Sequence, residues 1–335
     1  VISSLELARR CGVSQGTVDR ALKGRGGINA GTRERILAAA AEHGYCPNPA
    51  ARELMTGESR MAGAIVPSTA GVFFLDLMRE LKQALDPIGL RLLLTTAESP
   101  EEFQDAIAEF AARRLRAAIV VPPAEGIALP AAVTRTLKVV SYLSPCLAEA
   151  NHLFLAPDEA RTGHAAVNFL ASRGHRRILH LTYRREATAI RDRARGYQEA
   201  MTQRGWESAV VAGADDDTLD AALERYRPTA LFCHNDWLAA GTLRFLKARG
   251  RRVPAEISVL GVDHTPTFRT LQPGVASLEY PLTALAARTA AWIVTGARPA
   301  AFPPFRPVPG ASLARRSRPA HAGRRSSDDA QAGAF

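Results

Sequence analysis

Cysteine is scarce in this chain of 335 residues. The four present, Cys11, Cys46, Cys146 and Cys233, lie far apart and form no CxxC pair. That speaks against a disulfide scaffold and a zinc cluster, and suits a reducing cytoplasm. Long apolar runs are missing: none approaches the ~18 residues of a membrane span. The first dozen residues show no basic patch followed by an apolar stretch, so no secretory signal is expected. No Met opens the chain, which an alternative start codon or trimming explains equally well. Catalytic signatures are also missing. There is no GxSxG elbow, no Walker A run and no HExxH. Gly24-x-Gly26-Gly27 follows a helical stretch rather than a strand and lacks the third glycine spacing of a dinucleotide loop. His234-Asn235-Asp236 follows an apolar run, and sequence neighbours there point in different directions. No catalytic residue, metal or cofactor is expected.

The composition is otherwise ordinary, with 47% apolar and 23% charged residues. Such a chain buries normal cores and, at this length, forms two or three units. Lys and Arg number 43 against 33 Asp and Glu, a net charge of +10. This gives a weak preference for polyanionic partners. Residues 1–60 carry nine basic and six acidic side chains. The last 21 residues carry five Arg against Asp328 and Asp329. This stretch, 315–335, is rich in Ala, Gly, Ser and Arg and reads as a disordered basic tail. It either assists nucleic-acid binding or is a solvated extension.

Helical periodicity dominates the first 45 residues. Ser3 or Ser4 can cap a helix over about 5–11, with Leu5 and Ala8 on one face. Gly12 breaks it and Ser14 caps a second helix over 15–22. Val13, Val18 and Leu22 are spaced to hold the helices together. A third helix starts between Asn29 and Thr32, turns Ile36, Leu37 and Ala40 inward, and ends at Gly44. Three short helices with a glycine turn between the first two make a helix-turn-helix. Pro47 and Pro49 forbid its continuation. Residues 50–55 could add a helical turn or two, too few to be stable alone. From residue 62 apolar runs at 62–66, 90–95, 117–121, 138–142, 178–181, 230–233 and 257–260 alternate with amphipathic stretches. That βα alternation predicts parallel, doubly wound sheets covered by helices.

The opening residues carry fixed elements at fixed spacing: Ala8-x-x-x-Gly12-Val13-Ser14-x-x-Thr17-Val18-x-Arg20, then Thr32-Arg33-x-x-Ile36, then Gly44-Tyr45-x-Pro47-Asn48-x-x-Ala51-Arg52-x-Leu54. Over about 50 residues this resembles the lactose-repressor (LacI/GalR) family of bacterial transcription regulators. The chemistry of the residues agrees. A helix-turn-helix sets the N-terminus of its second helix against base edges in the major groove. Here Gln15, Gly16 and Arg20 fall there; Gln suits adenine and Arg suits guanine. Ser14 and Thr17 are better placed for phosphates. Gly16 stands where relatives often carry a base-reading side chain. Asp19 stands before Arg20 in place of the usual Ser, with Lys23 as its i+4 partner. The resemblance implies that 50–55 is a hinge helix whose Leu54, with Ala51 beside it, wedges into the minor groove.

For the rest of the chain the resemblance implies a two-lobed, periplasmic-binding-protein-like domain of parallel doubly wound sheets. The domains expected are a head at 1–45, a hinge at 46–60 and an effector and dimerisation domain at 61–314. Within it, lobe 1 takes 61–155 and 280–305, and lobe 2 takes 156–279 and 306–314. Matches at Phe73-Phe74, Arg193, Asn235-Asp236 and Asp263 imply ligand contacts at strand ends. Tyr142 stands where relatives carry an acidic ligand residue. With Val121-Pro122-Pro123 nearby, the cleft is less polar than a sugar site. The expected function is a cytoplasmic, sequence-specific DNA-binding transcription regulator, a repressor. Its expected partners are double-stranded operator DNA, a small polar effector and a second copy of itself, with no membrane. A periplasmic-type solute-binding protein for transport is the rival reading, an enzyme the weaker one. A transport protein needs a secretory signal and no helix-turn-helix, so residues 1–60 favour the regulator.

Overall fold

The computed structural model describes residues 2–46, 59–67, 71–184, 187–213, 215–272 and 274–316. The hinge segment with Ala51 and Leu54, and the tail from residue 317, lie outside the described residues. The chain divides into two compact units, Val1–Ser59 and Arg60–Phe335.

The first unit is α1 (Ser4–Arg10), α2 (Gln15–Leu22) and α3 (Ala30–Glu42). Each start is set by a capping side chain: Ser3 accepts from Glu6 N, Ser14 from Thr17 N and Asn29 from Gly31 N. Such caps satisfy amides that the helix leaves without partners. Leu7, Ala8, Cys11, Val18, Ala21, Ile36 and Ala40 form the core, with Val13 and Leu22 packed at its edge. Leu5 and Leu37, expected inside, are 49% and 45% exposed. On each helix a neighbour, Leu7 or Ile36, occupies the inward position instead.

The second unit is built on two sheets. The first joins β1 (Met61–Val66), β2 (Arg91–Thr96), β3 (Ala117–Val120), β4 (Lys138–Ser141) and β5 (His152–Phe154). Its order is β2-β1-β3-β4-β5, all parallel. Helices α4 (Val72–Leu85), α5 (Pro100–Ala112) and α6 (Ala131–Thr134) belong to it. Ser99 caps α5, Pro100 opens it and Glu101 and Glu102 sit in its first turn. All three suit a helix N-terminus. Gly63 in β1 lets Phe110 of α5 lie on the sheet, for a Cβ there would come within 2.1 Å of the ring.

The second sheet joins β6 (Ile178–Thr182), β7 (Ala209–Ala212), β8 (Ala230–Cys233), β9 (Ser258–Asp263), β10 (Ala276–Glu279) and β11 (Arg306–Val308). The order is β11-β10-β9-β8-β6-β7, parallel except for β11. Its helices are α7 (Glu159–Ser172), α8 (Thr188–Thr202), α9 (Asp216–Tyr226), α10 (Asp236–Ala248) and α11 (Pro266–Leu271). After β10 the chain crosses back, and α12 (Leu282–Thr295) packs on α4. Lys138 of β4 fixes its end by donating to the carbonyls of Ile293 at 2.7 Å and Trp292 at 3.4 Å. A cation there opposes the helix dipole.

All seven apolar runs are strands. Strands β5, β7, β10 and β11 are additional; all four are short, and β11 carries Pro307 at the sheet edge, where proline is tolerated.

Candidate functional site

On the first unit, α2 presents Ser14, Gln15, Gly16 and Arg20 to solvent, with Thr17 half-buried. The Ser14 hydroxyl accepts from Thr17 N at 3.2 Å and lies 2.9 Å from the Thr17 hydroxyl. Gln15 Nε2 donates to Ser4 Oγ at 2.6 Å. Arg20 lies back along its own helix, donating to the Gly16 carbonyl at 3.3 Å and to Thr17 Oγ1 at 3.5 Å. These are solvent-exposed bonds, cheap to exchange for base or phosphate contacts. Lys23 neutralises Asp19 at 2.6 Å, as the i+4 spacing leads one to expect. The reading face therefore carries no unpaired carboxylate.

In the second unit a cavity of about 620 Å³ opens between the two sheets. It lies at the carboxyl ends of β1, β4, β6, β8, β9 and β10, where Pro67, Leu143, Tyr183, His234, Asp263 and Tyr280 line it. Open α/β sheets bind ligands at such ends, and this volume suits a small metabolite. Phe73 and Phe74, on the first turn of α4, form part of its wall, together with Trp237 and Phe268.

Six of the seven sequence-derived effector residues meet here: Phe73, Phe74, Arg193, Asn235, Asp236 and Asp263. Tyr142 does not. It is 3% exposed, turned into the core, and its hydroxyl bonds Thr289 of α12. Its neighbour Leu143 lines the cavity instead. Burial raises the Tyr142 pKa, and the Thr289 contact only partly offsets this.

Arg193 is anchored to a residue the sequence did not single out, Glu159. Its Nε and Nη2 both donate to Glu159 Oε2, at 2.8 and 2.6 Å, and its Nη1 donates to the His234 carbonyl. Both side chains are 3% exposed. Two glycines make the pair possible by letting α7 and α8 touch. A Cβ on Gly196 would lie 1.9 Å from the Ala160 carbonyl oxygen, and one on Gly163 would lie 2.4 Å from that of Arg193. Burial pushes the Glu159 pKa up, and Arg193 pulls it back.

The two aspartates divide the work. Asp236 Oδ2 accepts from His264 N at 2.7 Å and its Oδ1 accepts from Ser277 Oγ at 2.6 Å. Gly261 leaves room for this, since a Cβ there would lie 2.1 Å from Oδ1. Asp236 thus pins the turn after β9. Asp263 stands in that turn with φ 117°, in the region that favours glycine. A non-glycine residue there costs of order 1–3 kcal/mol, held by surrounding contacts. The residue is 8% exposed, and its carboxylate has no hydrogen-bond partner among the described residues. Burial pushes Asp236 up to about 7; Asp263 rises well above the carboxylate range through burial and its neighbour Asp236. Asn235 caps α10, its Oδ1 accepting from Leu238 N at 3.0 Å and from the Tyr183 hydroxyl at 2.7 Å. Burial holds His234, beside it, well below the usual imidazole pKa.

The rims of the cleft are bridged. On one side Asp76 of α4, fully buried, accepts from Thr267 N at 3.0 Å and from its hydroxyl at 2.7 Å. Burial opposes its charge, but Thr265, Thr267 and Arg79 outweigh this and lower its pKa. On the other side Glu125 accepts from the Thr188 hydroxyl and from Arg191, both at 2.7 Å.

A helix-turn-helix head followed by a two-sheet body with a ligand-sized cleft defines a DNA-binding regulator of the periplasmic-binding-protein type. Residues 5–48 match the model of bacterial regulatory proteins of the lacI family, and residues 167–317 match a periplasmic binding protein-like domain. The chain thus carries a lacI-type DNA-binding head and a periplasmic-binding-protein-like domain, and the curated relatives it matches are transcriptional regulators. It is 29% identical over 292 residues to the HTH-type transcriptional regulator AscG of Escherichia coli K12, covering 83% of this chain and 87% of AscG. It is 27% identical over 301 residues to the regulator GntR of Pseudomonas aeruginosa, covering 85% and 86% of the two chains. The lac repressor dimer bound to operator and the anti-inducer ONPF shares the fold, with TM-score 0.77 and 20% identity, over 93% of this chain and 99% of that one. The CelR–cellobiose complex matches with TM-score 0.61 and 22% identity, over 93% and 100%. Among the described residues no helix is long and apolar enough to cross a membrane.

Proposed function

We propose that this regulator is a repressor whose operator affinity is set by a small metabolite bound between the two sheets. It would act as a homodimer in the cytoplasm, where its DNA is. The observation that carries this is the cleft itself. It sets an unpartnered, buried carboxylate, Asp263, in a cavity walled by aromatic side chains, in a chain whose head exposes Gln15 and Arg20. The lac repressor, which shares the fold, is a dimer on operator with a small molecule bound, and CelR binds cellobiose. On this reading Ser14 and Thr17 meet phosphates, Gln15, Gly16 and Arg20 meet bases, and Ala51 and Leu54 belong to a hinge joining head to cleft. A metabolite acts by favouring one arrangement of the lobes, because only differential affinity for two states shifts an equilibrium. The test is selection of bound sequences from a random DNA pool, followed by operator titrations with and without metabolites that raise the melting temperature. Enrichment of no sequence, or operator affinity indifferent to every stabilising metabolite, overturns it.

A further inference from the structure

The charge inventory of the cleft is lopsided. Among the described residues the cations and carboxylates that line it are Arg193, Asp236 and Asp263. Arg193 is neutralised from behind by Glu159 and also donates to the His234 carbonyl. His234 is held neutral by burial. Asp236 has both oxygens engaged, with Ser277 and the His264 amide. Asp263 remains: a residue more than nine-tenths buried, its carboxylate without a hydrogen-bond partner among the described residues, facing the cavity. Its backbone is held at φ 117° to place it there.

The walls point the same way. Phe73, Phe74, Trp237, Phe268 and Tyr280 present rings, and Val72, Leu143 and Ile190 add aliphatic surface. A polyol needs several alternating donors and acceptors, each hydroxyl left without a partner being penalised. Among the described residues several of the polar groups here are already engaged, as in Arg193, Asp236 and the Tyr183 hydroxyl. A carboxylate-bearing molecule would meet Asp263 with no uncompensated cation among the described residues to receive it.

We propose that the cleft takes a molecule with a single protonated amine on a flat or apolar body, the ammonium on Asp263 and the body among the aromatic rings. This rests on the reading of the cleft as the effector site. Aromatic faces attract cations as well as apolar surface, so walls and carboxylate cooperate. In the empty cleft burial and Asp236 favour the protonated Asp263, with Arg193 opposing and Glu159 reinforcing. A bound ammonium reverses that balance, and Asp263 gives up its proton to solvent as the amine enters.

The experiment is calorimetric titration of the full chain at pH 8 with phenethylamine, 2-phenylethanol, phenylacetate and D-glucose. The expected result is phenethylamine binding at least about tenfold tighter than 2-phenylethanol, the worth of one ordinary charge-assisted contact. Asp263→Asn should erase that preference while leaving 2-phenylethanol binding within about threefold. Wild-type binding in which phenylacetate, glucose or the alcohol equals or beats the amine overturns the proposal, as does the absence of amine binding. Ile190→Trp, which fills the cavity, separates the two readings. If it abolishes binding of a non-amine winner, the cleft stands and only the amine class falls. If amine binding survives it, the cleft is not the seat and the effector-site reading falls too.

Discussion

Replacing Glu159 by leucine would leave Arg193 as a charge without its counter-ion, in a place where both side chains are 3% exposed. Removing one member of a buried pair costs about 3–5 kcal/mol, because the remaining charge is neither solvated nor paired. Arg193 keeps its bond to the His234 carbonyl and borders the cleft, which water can reach, so the lower end applies. At about 2 °C per kcal/mol for a unit of this size, Glu159→Leu should lower the melting temperature by roughly 6 °C or more. Arg193→Met should cost a similar amount. The double variant should recover most of the loss, since an apolar pair of like volume replaces a buried ion pair at little cost. Differential scanning calorimetry of the four proteins closes the cycle: the double variant should lose less than either single one, which with single losses of about 3 kcal/mol means a coupling above about 3 kcal/mol. Single losses below about 1 kcal/mol that simply add would refute the buried pair. The same single change also unmasks the Arg193 charge, so the Glu159→Leu cleft should gain affinity for phenylacetate.

Three further outcomes are expected. Asp263 is an acid whose folded pKa is raised, so the fold favours its neutral form: the penalty is nil below the usual carboxylate range and grows as pH rises through it toward the raised value. Asp263→Asn should therefore raise the melting temperature of the empty protein at pH 8 by clearly more than at pH 4, and an equal gain at both would contradict the assignment. Arg20→Ala should weaken operator binding by about 1–3 kcal/mol and relax sequence preference, as loss of a bidentate base contact does; a gel-shift titration with neither change removes Arg20 from the reading face. Asp76→Ala deletes both bonds to Thr267, so small-angle scattering should show a larger radius of gyration for the empty protein, and an unchanged radius would mean that this rim does not hold the lobes.

Much of this architecture is legible in the sequence because its signals are local. Ser3, Ser14, Asn29 and Ser99 cap helices, and runs such as 117–120 and 230–233 are short enough to read as buried strands. Strands β5 and β7 are short edge segments whose apolar runs, 153–156 and 209–212, are only four residues long, too short to stand out from the chain around them. Tyr142 misleads because the alternation of a strand turns successive side chains to opposite faces, and an aromatic at a strand end fits the core as well as a cleft. Glu159 hides behind a bland role, since an acid in the first turn of a helix is what the dipole favours. Its partner lies 34 residues away. The signal that could have found it is glycine. Gly163 and Gly196 sit inside helices, where glycine costs up to about 1 kcal/mol, and such residues mark close backbone contact. Gly163 lies one turn from Glu159, and Gly196 one turn from Arg193.

The two rims of the cleft differ in how they feel ions in solution. Asp76 is fully buried, with Arg79 at 2.9 Å half in solvent, whereas both partners of the Glu125–Arg191 pair reach solvent, Arg191 being 62% exposed. Salt screens solvent-exposed charges over a length of about 10 Å at 0.1 M that shortens as salt is added, and buried charges are screened much less. Raising ionic strength therefore loosens one jamb of the door more than the other. If release of a bound molecule requires the Glu125 side to open, its residence time should shorten with salt even where its contacts with the cleft are wholly apolar.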